Sequence, residues 1–225
     1  MTTSGTSDFN LEFDDIIVEA YERCGIDVRD GYDMKTALRS VNLMFAEWAN
    51  RGLNLWTIEQ REQVLTAGVY QYALPLDTVD ALSAVIRTNA GTSTQQDITV
   101  DRIGYAEYLH VPNKNTQSRP AQWFLQRTTT PQLFLYPSPD ATQTYTFRYY
   151  AVRRIQVAGT FTNTADVVFR ILPCMVTGLA YYLSVKKAPD RVGLLKGMYD
   201  EEFQRAANED RENSGYFAVP MYQAR

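Results

Sequence analysis

The chain has 225 residues, 45% hydrophobic and 21% charged, with a formal net charge of −4. That is enough apolar material for a real core in one large domain or two small ones, which excludes global disorder. The acidic balance argues against a conventional basic nucleic-acid surface. It leaves open a protein that DNA merely passes.

Residues 1–10 are small and polar and lack the basic-then-apolar layout of a signal peptide. A first helix is expected over about 12–24. Phe13, Ile16, Ile17, Ala20, Tyr21 and Cys24 share one face, Asp14 and Asp15 sit in the first turn, and Gly25 ends it. The next stretch, 33–56, organises the chain. Met34, Ala37, Leu38, Val41, Phe45 and Trp48 recur at helical spacing, while Lys35, Arg39, Asn42 and Glu47 fall mostly off that stripe. Asp33 reads as its N-cap and Gly52 as its left-handed stop. Leu53, Leu55 and Trp56 continue apolar past the stop, so Phe45, Trp48, Leu55 and Trp56 are expected in the core.

From residue 57 the pattern turns to period two. Residues 59–66 and 69–74 read as a hairpin about Ala67-Gly68, Pro75 stops it, and 79–88 is a third strand. After a turn at Asn89-Ala90-Gly91-Thr92 comes a short strand at 97–100. Asp101 then reads as the cap of a short helix reaching Leu109. Residues 111–119 form a polar loop, a common seat of contacts. Strands at 122–126, 132–136 and 142–151, joined by Thr130-Pro131 and Pro137-Ser138-Pro139-Asp140, read as an antiparallel meander. Its aromatic face suits a core better than a stacking platform for nucleic acid, which would interleave Lys and Arg.

Helix returns at Pro173 and runs to about Lys187, with Val176, Leu179, Ala180 and Leu183 as its stripe. Asp190 reads as the N-cap of a last helix, about 190–212, carrying Val192, Leu195, Met198, Tyr199, Phe203 and Ala206. The expected class is α+β: a helical bundle made from the N- and C-terminal helix pairs, with an inserted antiparallel β domain. The divisions fall at 1–56, 57–160, 161–212 and a tail at 213–225.

Chemistry is sparse. One histidine, His110, and two cysteines, Cys24 and Cys174, each in an apolar stripe, make no metal or redox motif. No cofactor motif is present and no apolar run approaches the roughly 18 residues of a membrane span. The acids at 200–202 and 209–212 read as a solvated helix face; the enzyme alternative is a carboxylate pair for cell-wall hydrolysis. The tail is unusual. Tyr216, Phe217, Val219, Pro220, Met221 and Tyr222 lie beyond any periodic element and must fold back or dock on a partner, with the partner preferred.

The order of EWANRGLNLW, RPAQWFLQ, LFLYPSP, TYTFRYY and LPCMVTGLAYYLSVKKAPDRV resembles the head-to-tail adaptor (connector) proteins of short-tailed bacteriophages, relatives of the tail accessory factors and tail tubular protein A. The resemblance implies a structural, non-enzymatic virion protein of the phage neck, assembled in the host cytoplasm. It further implies a twelve-subunit ring between the portal protein and the tail nozzle. DNA would cross the ring without sequence-specific binding and be retained until ejection. The C-terminal tail would dock on the portal.

Overall fold

The computed structural model describes residues 3–6, 9–28 and 31–211. In chain order the elements are α1 (Phe13–Cys24), α2 (Gly31–Asn50), β1 (Ile58–Val64), β2 (Gln71–Ala73), β3 (Thr78–Thr88), β4 (Gln96–Thr99), β5 (Asp101–Arg102), α3 (Tyr105–His110), β6 (Gln122–Gln126), β7 (Gln132–Tyr136), β8 (Tyr145–Arg153), α4 (Leu172–Lys187) and α5 (Val192–Glu209). The fold is mixed α+β. Two compact units divide it, one from residues 1–55 with 157–225, the other from 56–156.

In the helical unit α4 packs against α1, α2 and α5. It has almost no polar face: ten of its residues, from Leu172 to Ser184, are buried. A helix apolar on all sides belongs at the centre of a bundle, so α4 holds the place that sequence periodicity gives to α2. Gly178 shows how close the packing is, since a Cβ there would lie 2.6 Å from Met44 Sδ and 2.8 Å from Tyr199 Cε2. Two helix stops follow the sequence reading, with Gly25 at φ 71° and Gly52 at φ 83°. Asp33 does not. It is the third residue of α2, buried, and forms an ion pair with Lys187 at the end of α4. Carboxylates favour helix starts as caps and as first-turn charges alike, and spacing does not separate the two. Asp190 likewise lies in a 3-10 turn, Pro189–Arg191, and the start of α5 has no side-chain cap bond.

The other unit is two four-stranded sheets, ordered β1-β8-β3-β4 and β2-β7-β6-β5. Leu65, Ile86, Phe147 and Tyr149 share one core with Trp123, Leu133 and Leu135, and the Trp123 and Phe147 rings meet edge-on at 5.7 Å. Three sequence expectations fail here. The expected hairpin of 59–66 with 69–74 does not form, because β1 pairs with β8 and β2 with β7 in the opposite sheet. The turn is real: Val69 N–H donates to the Thr66 carbonyl and the Tyr72 hydroxyl accepts from Thr66 N. It carries the chain across layers so that Leu65 and Tyr72 enter the core from different sheets.

The expected meander also breaks after β7. β8 crosses to the first sheet and lies between β1 and β3, with Tyr145, Phe147, Tyr149 and Ala151 buried on its inner face. Pro137–Asp140 is thus a crossover, and Ser138 N–H donates to the Thr116 carbonyl. Asp101 is a strand residue rather than a helix cap. It pairs in parallel with β6, which makes the second sheet mixed, and Gly104 is the N-cap of α3, its N–H donating to the Glu107 carboxylate.

Candidate functional site

The helical unit is closed by a polar network at the end of α2. Trp48 is fully buried and its Nε1 donates to the Tyr199 hydroxyl at 3.0 Å. Tyr199 donates to Glu47 Oε2 at 3.2 Å, and Tyr182 to the same oxygen at 2.8 Å. Arg51 pairs with Glu47 Oε1 at 2.9 Å while its guanidinium lies 3.5 Å over the Phe203 ring. Burial holds both tyrosines well above the ordinary range; Glu47 adds to this, most directly at Tyr182 through the hydrogen bond. One carboxylate therefore ties together α2, α4 and α5. By sequence Glu47 sits off the apolar stripe; in the structure its partners arrive from more than 130 positions away.

The acidic end of α5 has a comparable task. Asp210 accepts from Asn54 N at 2.7 Å and from Leu55 N at 3.1 Å, capping the peptide that leaves α2. Phe45 and Trp48 are buried, Leu53 takes the next buried position, and Leu55 and Trp56 are half-buried. Asp200, Glu201 and Glu209 are exposed and Glu202 pairs with Arg205 three residues on. The tail residues Tyr216, Phe217, Val219, Pro220, Met221 and Tyr222 lie outside the described residues.

Among the described residues no cluster of His, Cys, Asp or Glu is arranged to hold a metal ion. The two cysteines are free and buried. Burial pushes the Cys174 thiol up to about 12, which keeps it protonated and a poor nucleophile. No described helix is long and apolar enough to cross a membrane. In the β unit Arg61, Arg87, Arg102, Arg127, Arg148 and Arg153 each stand against a carboxylate. Guanidinium groups so committed offer little to a phosphate backbone.

What remains is surface built for contact. On α3, Tyr105 and Leu109 are 76% and 71% exposed, one turn apart, while Tyr108 packs on Phe124 and Phe134. The 111–119 loop is held beside them by Lys114, which donates to the carbonyls of Leu109 and Val111. In the helical unit a groove of about 800 Å³ opens between the starts of α1 and α4, with Phe9, Leu11, Phe169, Leu172, Pro173 and Val176 as its apolar walls.

An α+β chain of two units with polar ties inside and apolar patches outside has the character of an assembly component. Its family is explicit. The model of the SU10 adaptor protein family matches residues 12–222, nearly the whole chain, and the protein belongs to that family. It is a phage head-to-tail adaptor, a structural component of the virion. No curated protein matches it.

Proposed function

We propose that the chain forms a ring, twelve-fold as in the proteins it resembles, between the portal protein and the tail nozzle. Packaged DNA passes through this ring and is held by it until ejection. The family match over residues 12–222 carries this reading. Two features support it. Six arginines of the β unit already stand against carboxylates, which weakens their grip on a phosphate backbone and suits a channel that DNA must leave. The exposed Tyr105 and Leu109 give the β unit an apolar contact for a neighbour or the nozzle.

The C-terminal tail is the portal anchor in this reading, through Tyr216, Phe217, Val219, Pro220, Met221 and Tyr222. Rigid aromatics give large contact area for little entropy loss, and a ring multiplies weak single contacts. The test is electron microscopy of the purified chain with and without portal rings, joined to co-sedimentation of a chain lacking residues 214–225. Ringed density on the portal with the full chain, lost on truncation, is the expected outcome. Full attachment of the truncated chain removes the anchoring role.

A further inference from the structure

The helical unit carries two outward stripes of opposite charge. On α1, Asp15, Val18, Glu19 and Glu22 recur at spacings of three and four, on the side away from buried Ile16, Ile17, Ala20 and Tyr21. Glu19 pairs with Arg23 at 2.8 Å, whereas Asp15 and Glu22 have no cation within ion-pair distance among the described residues. On α2, Lys35, Arg39, Leu43 and Ala46 form the exposed stripe. Neither Lys35 nor Arg39 has a carboxylate within ion-pair distance among the described residues. We propose that the acidic stripe of α1 in one copy of the chain packs against the basic stripe of α2 in the next. This pairing rests on the ring reading above and deepens it by naming the two surfaces that join neighbours.

Charges from the surrounding elements leave both signs in place. Glu12 is the N-cap residue of α1 and Asp14 flanks the stripe. Three cations stand near these acids. Arg23 is on α1 itself, and Arg170, in the turn before α4, lines the α1–α4 groove with Asp15, Glu19 and Arg23. Arg191 donates from its guanidinium to the Arg23 carbonyl. Five acids of α1 and its cap therefore face three cations, and the side stays negative. The acids of α2 are Asp33 and Glu47, and both are spent, on Lys187 and on Arg51. The contribution of α4 is a further cation. Lys186 donates to the Ser40 hydroxyl at 2.7 Å, and burial, followed by the charge of Arg39, makes its proton easier to lose. A carboxylate supplied from another copy relieves that crowding.

Spacing and apolar content agree with the pairing. Asp15 and Glu22 are two turns apart, roughly 10.5 Å along the axis, and Lys35 and Arg39 one turn, roughly 6 Å, a difference that long lysine and arginine side chains span. Val18 and Leu43, 42% and 56% exposed, lie within the two stripes, so covering both gives the contact an apolar centre inside a charged rim. Pairing α1 with α1, or α2 with α2, sets like charges together. The complementary pairing uses two different patches, and a contact of that kind repeats from copy to copy and closes into a ring when the rotation allows.

Charge reversal tests this by sedimentation and electron microscopy, with the chain alone at raised concentration and on portal rings. Asp15→Lys with Glu22→Lys makes both stripes positive, and Lys35→Glu with Arg39→Glu makes both negative. Each double variant should associate with itself roughly a hundredfold more weakly than the parent, because juxtaposed like charges strongly suppress a pairing. The fourfold variant exchanges the signs, and an equimolar mixture of the two double variants alternates them; both should regain rings. All four positions are exposed. As a control, Asp200→Lys with Glu201→Lys makes the same charge change on the exposed face of α5 and should assemble like the parent. Double variants that assemble like the parent, failure of either the fourfold variant or the mixture to associate, or equal loss in the control each overturn the pairing, while parental rings leave the ring reading standing. A parent that forms no ring in either setting overturns the ring reading itself, and the pairing with it.

Discussion

Replacing Trp48 tests whether the polar network at the end of α2 stabilises the helical unit. Trp48 is fully buried, meets the Phe45 ring at 5.7 Å and donates to Tyr199. Trp48→Ala should cost about 3–5 kcal/mol, the usual scale for truncating a buried aromatic. The polar share is isolated by a cycle of Trp48→Phe, Tyr199→Phe and the pair. Tyr199→Phe alone leaves the buried Trp48 N–H without its acceptor, worth about 1–3 kcal/mol. In the Trp48→Phe background that donor is gone, while the loss of the bond to Glu47 is common to both backgrounds. The two substitutions should therefore be less than additive by about 0.5–3 kcal/mol. Urea unfolding followed by far-ultraviolet circular dichroism reads mostly the helical unit and suits the measurement. Strict additivity would refute the buried hydrogen bond, and a Trp48→Ala chain as stable as the parent would refute the packing.

Gly178→Ala should destabilise by about 1–3 kcal/mol because its methyl group meets Met44 and Tyr199, although alanine is the better helix former; Gly197→Ala, with open space around it, should stabilise slightly in the same thermal melt. Asp210→Ala should cost about 1.5–3 kcal/mol by releasing the amides of Asn54 and Leu55, with exposed Glu209→Ala within about 0.5 kcal/mol of the parent as control. Alkali should weaken the helical unit. Burial holds Tyr182 and Tyr199 neutral above the ordinary value of 10.0, so their stabilisation is complete below that pH. It falls as pH rises above 10.0, where the unfolded chain releases protons that the folded one keeps. Tyr182→Phe with Tyr199→Phe should make that decline shallower in denaturant midpoints measured on both sides of 10.0, and an unchanged slope would contradict the network.

The family was legible from sequence because it rests on the order of short segments along nearly the whole chain, which local pattern preserves. So were the helices, since a stripe such as Ala37, Val41, Phe45 and Trp48 and a stop such as Gly52 are properties of neighbouring residues. Most strands too were found, within a few residues, by alternation such as Tyr145, Phe147, Tyr149 and Ala151, whereas the two-residue strand Asp101–Arg102 was read as a helix start. Which strand lies beside which was decided only in three dimensions. Thr66–Val69 and Pro137–Asp140 are sound turns, but a turn does not encode whether the chain returns to its own sheet or crosses to the facing one. That choice is settled by closing Trp123, Leu133 and Leu135 over Ile86, Phe147 and Tyr149 in one core. The same holds for Asp33, Glu47, Gly178 and Asp210. Each reads as an ordinary surface or helix residue until a partner far along the chain, Lys187, Tyr199, Met44 or Leu55, is brought against it. A carboxylate's role depends on the donor that packing delivers, and local sequence carries no record of that delivery.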